Sequence, residues 1–206
     1  MIAIIDYGMG NAGSIQNMLL RLGQRSVITH DHALLREADR LILPGVGAFD
    51  QAMHNIDERG LRDVLQERVV DDRVPILGIC LGMQLFTQRS EEGGPANGLG
   101  WFEAETRRFV FPEDRPFRLP HMGWNTLNVA HPHPVLDGMD EAARFYFVHT
   151  YHVVCERPED ELARARYGHP FTAMIAKDNI VGAQFHPEKS HRFGLALMNR
   201  FVAFQP

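Results

Sequence analysis

The pentapeptide at positions 78–82, Gly-Ile-Cys-Leu-Gly, sets a cysteine thiol between two glycines. The residues at 74–79 have the pattern of a buried strand, and a helical pattern starts directly after Cys80, which predicts a strand-to-helix turn at the thiol. The backbone of such a turn is strained, and side chains at positions 78 and 82 would collide with it. The start of the helix favours the thiolate, the reactive form of cysteine. We therefore interpret Cys80 as a nucleophile; the alternative is a structural cysteine with glycines for packing.

A cysteine nucleophile needs a base and a group that orients the base. His186 stands at the end of an apolar strand pattern, and Glu188 follows two positions later. Since residues i and i+2 of an extended segment face the same side, we expect Glu188 to hold the His186 ring while Cys80 meets the ring from the other side. Serine hydrolases with a comparable turn place their acid before the histidine, so this order disfavours a hydrolase. A loop-end histidine without a special role is the alternative.

Acyl transfer also needs N–H groups aimed at the developing oxyanion. The backbone N–H of Leu81 follows the nucleophile directly, and the segment Pro-Gly-Val-Gly at 44–47 follows a strand pattern at 40–43. Its two glycines permit backbone angles that other residues avoid, so this segment is the candidate for the second N–H group. The alternative is a plain turn.

Two further groups of reactive side chains carry no predicted chemistry. Cys155 ends a strand pattern and is interpreted as structural. His131 and His133 could suggest a metal pair, but no third ligand stands near them in the sequence. We therefore predict no metal site, and we predict no cofactor.

The composition limits the function classes. The 206 residues carry a net charge of -5 and contain no Lys/Arg tract, which disfavours nucleic-acid binding and an electrostatic membrane tether. No apolar run approaches the ~20 residues that a membrane helix needs. Two cysteines, together with an N-terminus that lacks the features of a signal peptide, favour a reducing cytoplasm.

A sheet must position these groups. Strand patterns at 2–5, 26–29, 40–43 and 74–79 alternate with helical patterns that follow Gly13, span 48–71 with a break near Gly60, and span 81–86. This alternation predicts an α/β fold with a largely parallel sheet. The second half predicts short strands at 101–110, 124–129, 145–155, 171–176 and 180–185, a hairpin turn at 177–179 and a final helix at 190–204. We expect one domain over 1–206 and assign no role to the segment 107–119.

Three motifs together resemble the class I (triad) glutamine amidotransferases. They are the segments at 44–47, 78–84 and 184–188, which occur in the family's order and span most of the chain. Within that class, the segments at 6–11, 120–125, 147–151 and 189–190 are most similar to the glutaminase subunits of imidazole glycerol phosphate synthases. The resemblance implies a single-domain, three-layer α/β/α (flavodoxin-like) fold with added antiparallel strands in the second half.

The resemblance also implies roles for particular residues. Cys80 would attack the side-chain amide of L-glutamine, His186 would protonate the departing ammonia, and water would hydrolyse the thioester to glutamate. Glu188 would orient His186. The backbone at Val46 and Leu81 would form the oxyanion hole. The residues implied to line the glutamine pocket are Gly47, Gln84, His149, Thr150 and Tyr151.

A partner is implied as well. The ammonia would pass into a (β/α)8-barrel cyclase, with which the chain would form a heterodimer that makes imidazole glycerol phosphate and aminoimidazole carboxamide ribotide in histidine biosynthesis. The segment around Val46 would act as the switch through which the partner activates the glutaminase. The implied interface residues are Tyr7, Asn11, Met122, Trp124 and Lys189. Ordinary core packing is the alternative for Met122 and Trp124.

Three other functions stay open on the sequence alone. A paralogous glutaminase, feeding another synthase such as a surface-polysaccharide sugar amidotransferase, would keep the same triad. A free-standing γ-glutamyl or ester hydrolase would turn over without a partner. A catalytically silent subunit is disfavoured because the cysteine, histidine and glutamate are all intact.

Overall fold

The computed structural model describes residues 1–94, 96–113 and 117–206. Its strands are β1 (Ile2–Ile5), β2 (Ser26–Thr29), β3 (Arg40–Leu43), β4 (Ile76–Ile79), β5 (Arg89–Ser90), β6 (Ala96–Asn97), β7 (Ala104–Arg108), β8 (His121–Thr126), β9 (Asn128–Val129), β10 (Arg144–His149), β11 (Tyr151–Cys155), β12 (Glu161–Tyr167), β13 (His169–Lys177) and β14 (Ile180–Ala183). The α-helices are α1 (Ala12–Arg21), α2 (His32–Arg36), α3 (Phe49–Glu58), α4 (Leu61–Gln66), α5 (Leu81–Gln84) and α6 (His191–Ala203). A π-helical segment at Glu67–Asp71 continues α4.

The sheet separates two apolar cores. Side chains of a strand alternate between its faces, and in β1 the side chains of Ile2 and Ile4 join one core while those of Ala3 and Ile5 join the other. Helices α1 and α6 pack on the first face, and α2 to α5 pack on the second. The fold is therefore a three-layer α/β/α arrangement, as predicted.

The central part of the sheet is parallel. Its order is β2-β1-β3-β4-β14, and all four neighbouring pairs run parallel. The carboxyl ends of β3, β4 and β14 therefore meet at one edge, where ligands of open α/β sheets bind. The segment at 44–47, the residue Cys80 and the segment at 184–188 directly follow these three strands. This topology brings the three sequence motifs together.

The strands of the second half extend this sheet and add a smaller one. Antiparallel pairing continues it from β14 through β13 and β11 to β7, while β8 and β10 form a separate two-stranded sheet. The hairpin between β13 and β14 confirms the predicted turn, since Lys177 pairs with Ile180. Gly60, with φ 64°, separates α3 from α4 as expected.

Some predicted elements were wrong. The continuous strand at 145–155 is two strands, interrupted at Thr150, because β10 pairs with β8 whereas β11 belongs to the large sheet. Strand β12 was not predicted: its sequence, Glu-Leu-Ala-Arg-Ala-Arg-Tyr, is rich in alanine and charge, which are depleted in strands. Helix α2 was missed because its five residues are too few to show a period. Of the segment 107–119, residues 114–116 lie outside the described ranges.

Candidate active site

Cys80 occupies a sharp turn between β4 and α5. Its backbone φ angle of 53° lies in the left-handed region, which residues other than glycine seldom adopt. A Cβ on Gly82 would lie 1.9 Å from the backbone oxygen of Leu43, and one on Gly78 would lie 2.5 Å from the Phe86 ring. Both distances are too short for any side chain, so the expected need for glycine on either side of the nucleophile is confirmed.

His186 and Glu188 form a buried pair at the end of β14. The imidazole Nδ1 and the carboxylate Oε1 are 2.7 Å apart, and the two side chains are 2% and 3% exposed. The expected contact is present, but its expected geometry was wrong: Glu188 reaches back through a 3-10 turn at Pro187–Lys189 rather than along an extended segment. Backbone pairing also holds the histidine, whose N–H donates to the carbonyl of Tyr146 at 2.9 Å.

The environment of His186 favours the imidazolium. Burial lowers its pKa, but the neighbouring Cys80 and Glu188 side chains raise it by more, and the resulting pKa is about 9. Cys80 raises this pKa first through a hydrogen-bonding interaction and then through charge, and the second ring nitrogen, Nε2, is buried without a hydrogen bond of ordinary geometry to any described residue. A thiol beside an imidazolium is the arrangement that activates cysteine nucleophiles.

A cavity of about 330 Å³ opens over the cysteine. It collects nine residues that the sequence assigned to catalysis, the oxyanion hole or glutamine binding: Val46, Gly47, Cys80, Leu81, Gln84, His149, Thr150, Tyr151 and His186. Three lining residues were not predicted: Glu92, Pro120 and Val148. A thiol, its base and a cavity at one sheet edge can together support acyl transfer.

The oxyanion side of the cavity comes from two elements. Leu81 is the first residue of α5, and the first N–H groups of a helix have no partner within it. Val46 lies in the loop after β3, where its side chain is 43% exposed, and Gly47 beside it has φ 115°. The loop is thus bent at a glycine next to the nucleophile.

Residues 3–203 match the model described as glutamine amidotransferase class-I. The chain belongs to this family.

Relatives of this chain align with it over nearly its full length. The imidazole glycerol phosphate synthase subunit HisH 2 of Methanococcus maripaludis is 50% identical over 98% of each chain, and the protein of the same name from Pseudomonas aeruginosa is 48% identical over 98% of each chain. Among solved structures, a glutamine amidotransferase covers 98% of both chains with a TM-score of 0.72 at 21% identity, which supports the fold alone.

Glu92 lines the cavity but was not predicted from the sequence. It lies in the polar loop after β5, and its carboxylate accepts a hydrogen bond from the backbone N–H of Phe49 at 3.2 Å. Burial and the nearby Asp50 raise its pKa, and the Phe49 hydrogen bond opposes that shift. No local sequence pattern marks this residue, because only the folded loop carries its carboxylate to the cavity.

His149, which lines the cavity, is hydrogen-bonded to a second buried histidine, His121. His149 Nδ1 lies 2.8 Å from the carbonyl oxygen of Tyr151, and His121 Nδ1 lies 3.1 Å from His149 Nε2. Burial lowers the pKa of His149 to about 3 and that of His121 to about 4, so both rings are neutral at pH 7. Each ring then donates through Nδ1, because a carbonyl oxygen can only accept.

Four of the five expected interface residues are exposed. Met122 and Trp124 are two positions apart on β8 and therefore share one face of the strand. They are 61% and 45% exposed, which disfavours core packing for either residue. The Trp124 ring stacks on His191, and Lys189 Nζ lies 5.8 Å from the ring centroid of Tyr146. Asn11 is exposed at the start of α1.

Tyr7 differs from the other four. Its side chain is fully buried, and its hydroxyl donates to the carbonyl of Pro44 at 2.7 Å. A buried phenol cannot touch a partner in this conformation, so the expectation of an interface contact is corrected. Tyr7 instead anchors the first residue of the segment 44–47 beside the nucleophile.

The remaining reactive groups lie away from this site. Burial raises the pKa of the Cys155 thiol to about 12, so that thiol stays protonated and unreactive at neutral pH. Within the part of the chain that the structure describes, no group of three or more His, Cys, Asp or Glu side chains is arranged to hold a metal ion. No described helix is long and apolar enough to cross a membrane. The cytoplasmic location and the single domain over 1–206 stay predictions.

Proposed function

We propose that the chain is the glutaminase subunit of imidazole glycerol phosphate synthase and hydrolyses L-glutamine to glutamate and ammonia. One observation carries the proposal: full-length relatives that are 50% and 48% identical bear that name. The geometry supports it, since the strained Cys80 turn and the His186–Glu188 pair meet in one cavity.

The chemistry proceeds in two halves. The Cys80 thiolate attacks the side-chain amide carbon, a C–S bond forms, and the C–N bond breaks as the His186 imidazolium gives its Nε2 proton to the leaving nitrogen. Neutral His186 then takes a proton from water, whose oxygen attacks the thioester and releases glutamate and the thiolate. Glu188 accepts from Nδ1–H throughout, which keeps Nε2 directed at the reaction.

The oxyanion of both tetrahedral states is bound by backbone N–H groups of Leu81 and Val46. The Leu81 group is preorganised by α5, where the helix dipole also favours negative charge. The Val46 group lies in an exposed loop next to Gly47, whose positive φ lets the intervening peptide turn. The loop is therefore the natural element through which a partner would complete the hole.

The cavity recognises glutamine by charge and by amide geometry. The Glu92 carboxylate binds the α-ammonium of the substrate, since it is the acidic side chain among the residues that line this cavity. Both hydrogens of Gln84 Nε2 are used, by Tyr151 and by Gln184, so Gln84 Oε1 is the atom free to accept from a ligand. Gly47, His149 and Thr150 complete the walls.

The ammonia passes to a (β/α)8-barrel cyclase in a heterodimer. The exposed apolar pair on β8, Met122 and Trp124, gives the centre of the contact, and Asn11 and Lys189 give its polar rim. Exposed aromatic and methionine side chains are enriched at such interfaces. The cyclase uses this ammonia to make imidazole glycerol phosphate and aminoimidazole carboxamide ribotide.

Trapping the thioester tests the chemistry. We expect acid quenching during turnover, followed by mass spectrometry, to find a glutamyl adduct on Cys80 and none on Cys155, the matched thiol of the same chain. An adduct on another residue, or hydrolysis that continues in Cys80→Ala, would overturn the assignment.

A further inference from the structure

Gln184 contacts the nucleophile without lining the glutamine cavity. Its side chain is fully buried, and its Nε2 lies 3.7 Å from Cys80 Sγ, within hydrogen-bonding range of sulfur. It precedes His186 by two positions, so one short segment after β14 supplies both the base and this amide. The amide therefore faces the reacting atom rather than the substrate.

The surrounding hydrogen bonds fix which end of the amide faces the sulfur. The backbone carbonyl of Tyr151 can only accept, so the Gln84 atom 3.1 Å from it must be Nε2. That nitrogen also lies 3.0 Å from the amide of Gln184, where the atom must accept and is therefore Oε1. The nitrogen of Gln184 is left facing Cys80.

We propose that the side-chain amide of Gln184 is a catalytic hydrogen-bond donor to the Cys80 thiolate. Burial favours the neutral thiol, and a hydrogen bond to the charged form counters that effect. The donor stabilises the thiolate before it attacks and again when it leaves the thioester. The catalytic meaning rests on the proposed glutaminase function, whereas the hydrogen bond itself belongs to the resting chain.

The donor is held in place by a buried network that ends in two histidines. The Tyr151 carbonyl that anchors Gln84 also accepts from His149 at 2.8 Å, and His149 accepts from His121 at 3.1 Å. Rotating the amide of Gln184 would set its N–H group against the N–H group of Gln84 and its oxygen against the sulfur, which would leave a buried Gln84 hydrogen without its acceptor. That penalty keeps the N–H on the sulfur.

The test measures the rate at which iodoacetamide alkylates Cys80 in the intact chain as a function of pH, with mass spectrometry as the readout. Gln184→Met preserves size and removes the donor. Gln184→Glu preserves the acceptor for Gln84 and puts an oxygen against the sulfur. We expect the pH midpoint of alkylation to rise by about 1 to 2 units in Gln184→Met, the shift for one hydrogen bond to an ion, and further in Gln184→Glu.

Two controls accompany these variants. Gln88→Met makes the same change at an exposed glutamine and should keep the wild-type midpoint. Cys155, followed in the same digests, reports any general opening of the fold through a rise in its own alkylation. With glutamine and the activating partner, we expect Gln184→Met to lose about 10- to 100-fold in kcat, since the same donor serves the leaving thiolate.

An unchanged alkylation midpoint in folded Gln184→Met, or a lower midpoint in Gln184→Glu, would overturn the proposal. If neither variant folds, the 15N-labelled wild-type chain decides: the side-chain N–H signal of Gln184 must shift with pH at the alkylation midpoint, and a signal that ignores that midpoint overturns the proposal. Alkylation needs neither glutamine nor a partner, so it tests the hydrogen bond to Cys80 even if the glutaminase proposal fails.

Discussion

Mild acid should destabilise the native chain through three buried histidines. His121, His149 and His152 are 3%, 5% and 8% exposed. Burial lowers their pKa values to about 4, about 3 and about 4. An unfolded histidine titrates near 6.5, so below that pH the unfolded chain takes up protons that the native chain refuses. The contribution of these neutral rings to the free energy of unfolding is fully present above pH 6.5 and is lost as the pH falls toward 4.

The magnitude follows from proton linkage. Lowering the pH from 7 to 5 stabilises an unfolded histidine by about 2 kcal/mol relative to a native ring that stays neutral, which gives about 6 kcal/mol for three rings. His186 has the opposite sign, because its native pKa of about 9 lies above the unfolded value. It is already protonated at pH 7 and so returns only about 1 kcal/mol over the same range. We expect a net loss of about 5 kcal/mol.

Urea denaturation at several pH values between 5 and 7 measures this loss. The sharper readout is the slope of unfolding free energy against pH below 6, which should fall by about 1.4 kcal/mol per unit in His152→Gln. The matched change His54→Gln, at an exposed histidine of α3, should leave the slope unchanged. Equal slopes in wild type and His152→Gln would refute the reasoning.

Three further outcomes follow from the site. Cys80→Ser should lower the rate of glutamine turnover by about 10⁵-fold or more. Glu188→Gln should lower it by only about 10²- to 10⁴-fold, because an orienting group is not the attacking atom. Steady-state kinetics with the partner present compares the two variants. Glu92→Gln should raise KM for glutamine about 10- to 100-fold with a smaller effect on kcat, since it binds a spectator charge. Trp124→Ala should weaken cyclase binding by about tenfold or more in calorimetry, whereas Val70→Ala, at another exposed apolar residue, should not.

Each outcome has a contrary result. A larger loss in Glu188→Gln than in Cys80→Ser would contradict the assigned roles. A fall in kcat at unchanged KM would move Glu92 from substrate binding to chemistry. Cyclase affinity that is equal in wild type and Trp124→Ala would remove this face of β8 from the interface.

The sequence was informative wherever backbone geometry dictates residue type. A nucleophile on a left-handed turn needs glycine two positions before and after it, and those glycines are visible at 78 and 82. Strands that are buried on both faces read as apolar runs, which is why β1, β3 and β4 and the motifs after them were predictable.

The sequence was less informative wherever contacts with distant parts of the chain determine the structure. The strand-like segment at 145–155 hides the change of sheet at Thr150, because pairing depends on the other strands. Glu92 reaches the cavity only through the fold of its loop. Tyr7 and Trp124 are both aromatic residues in motifs, yet one is buried and the other exposed, and no local pattern separates them.

The most direct measurement is glutamate production from glutamine by the chain alone, with the candidate cyclase, and with the cyclase plus its ribotide ligand. We expect low turnover alone and strong stimulation by the liganded cyclase, as a partner-completed oxyanion hole requires. Turnover that ignores the cyclase would contradict the assignment to imidazole glycerol phosphate synthase, and it would point to a glutaminase that serves another synthase or acts alone.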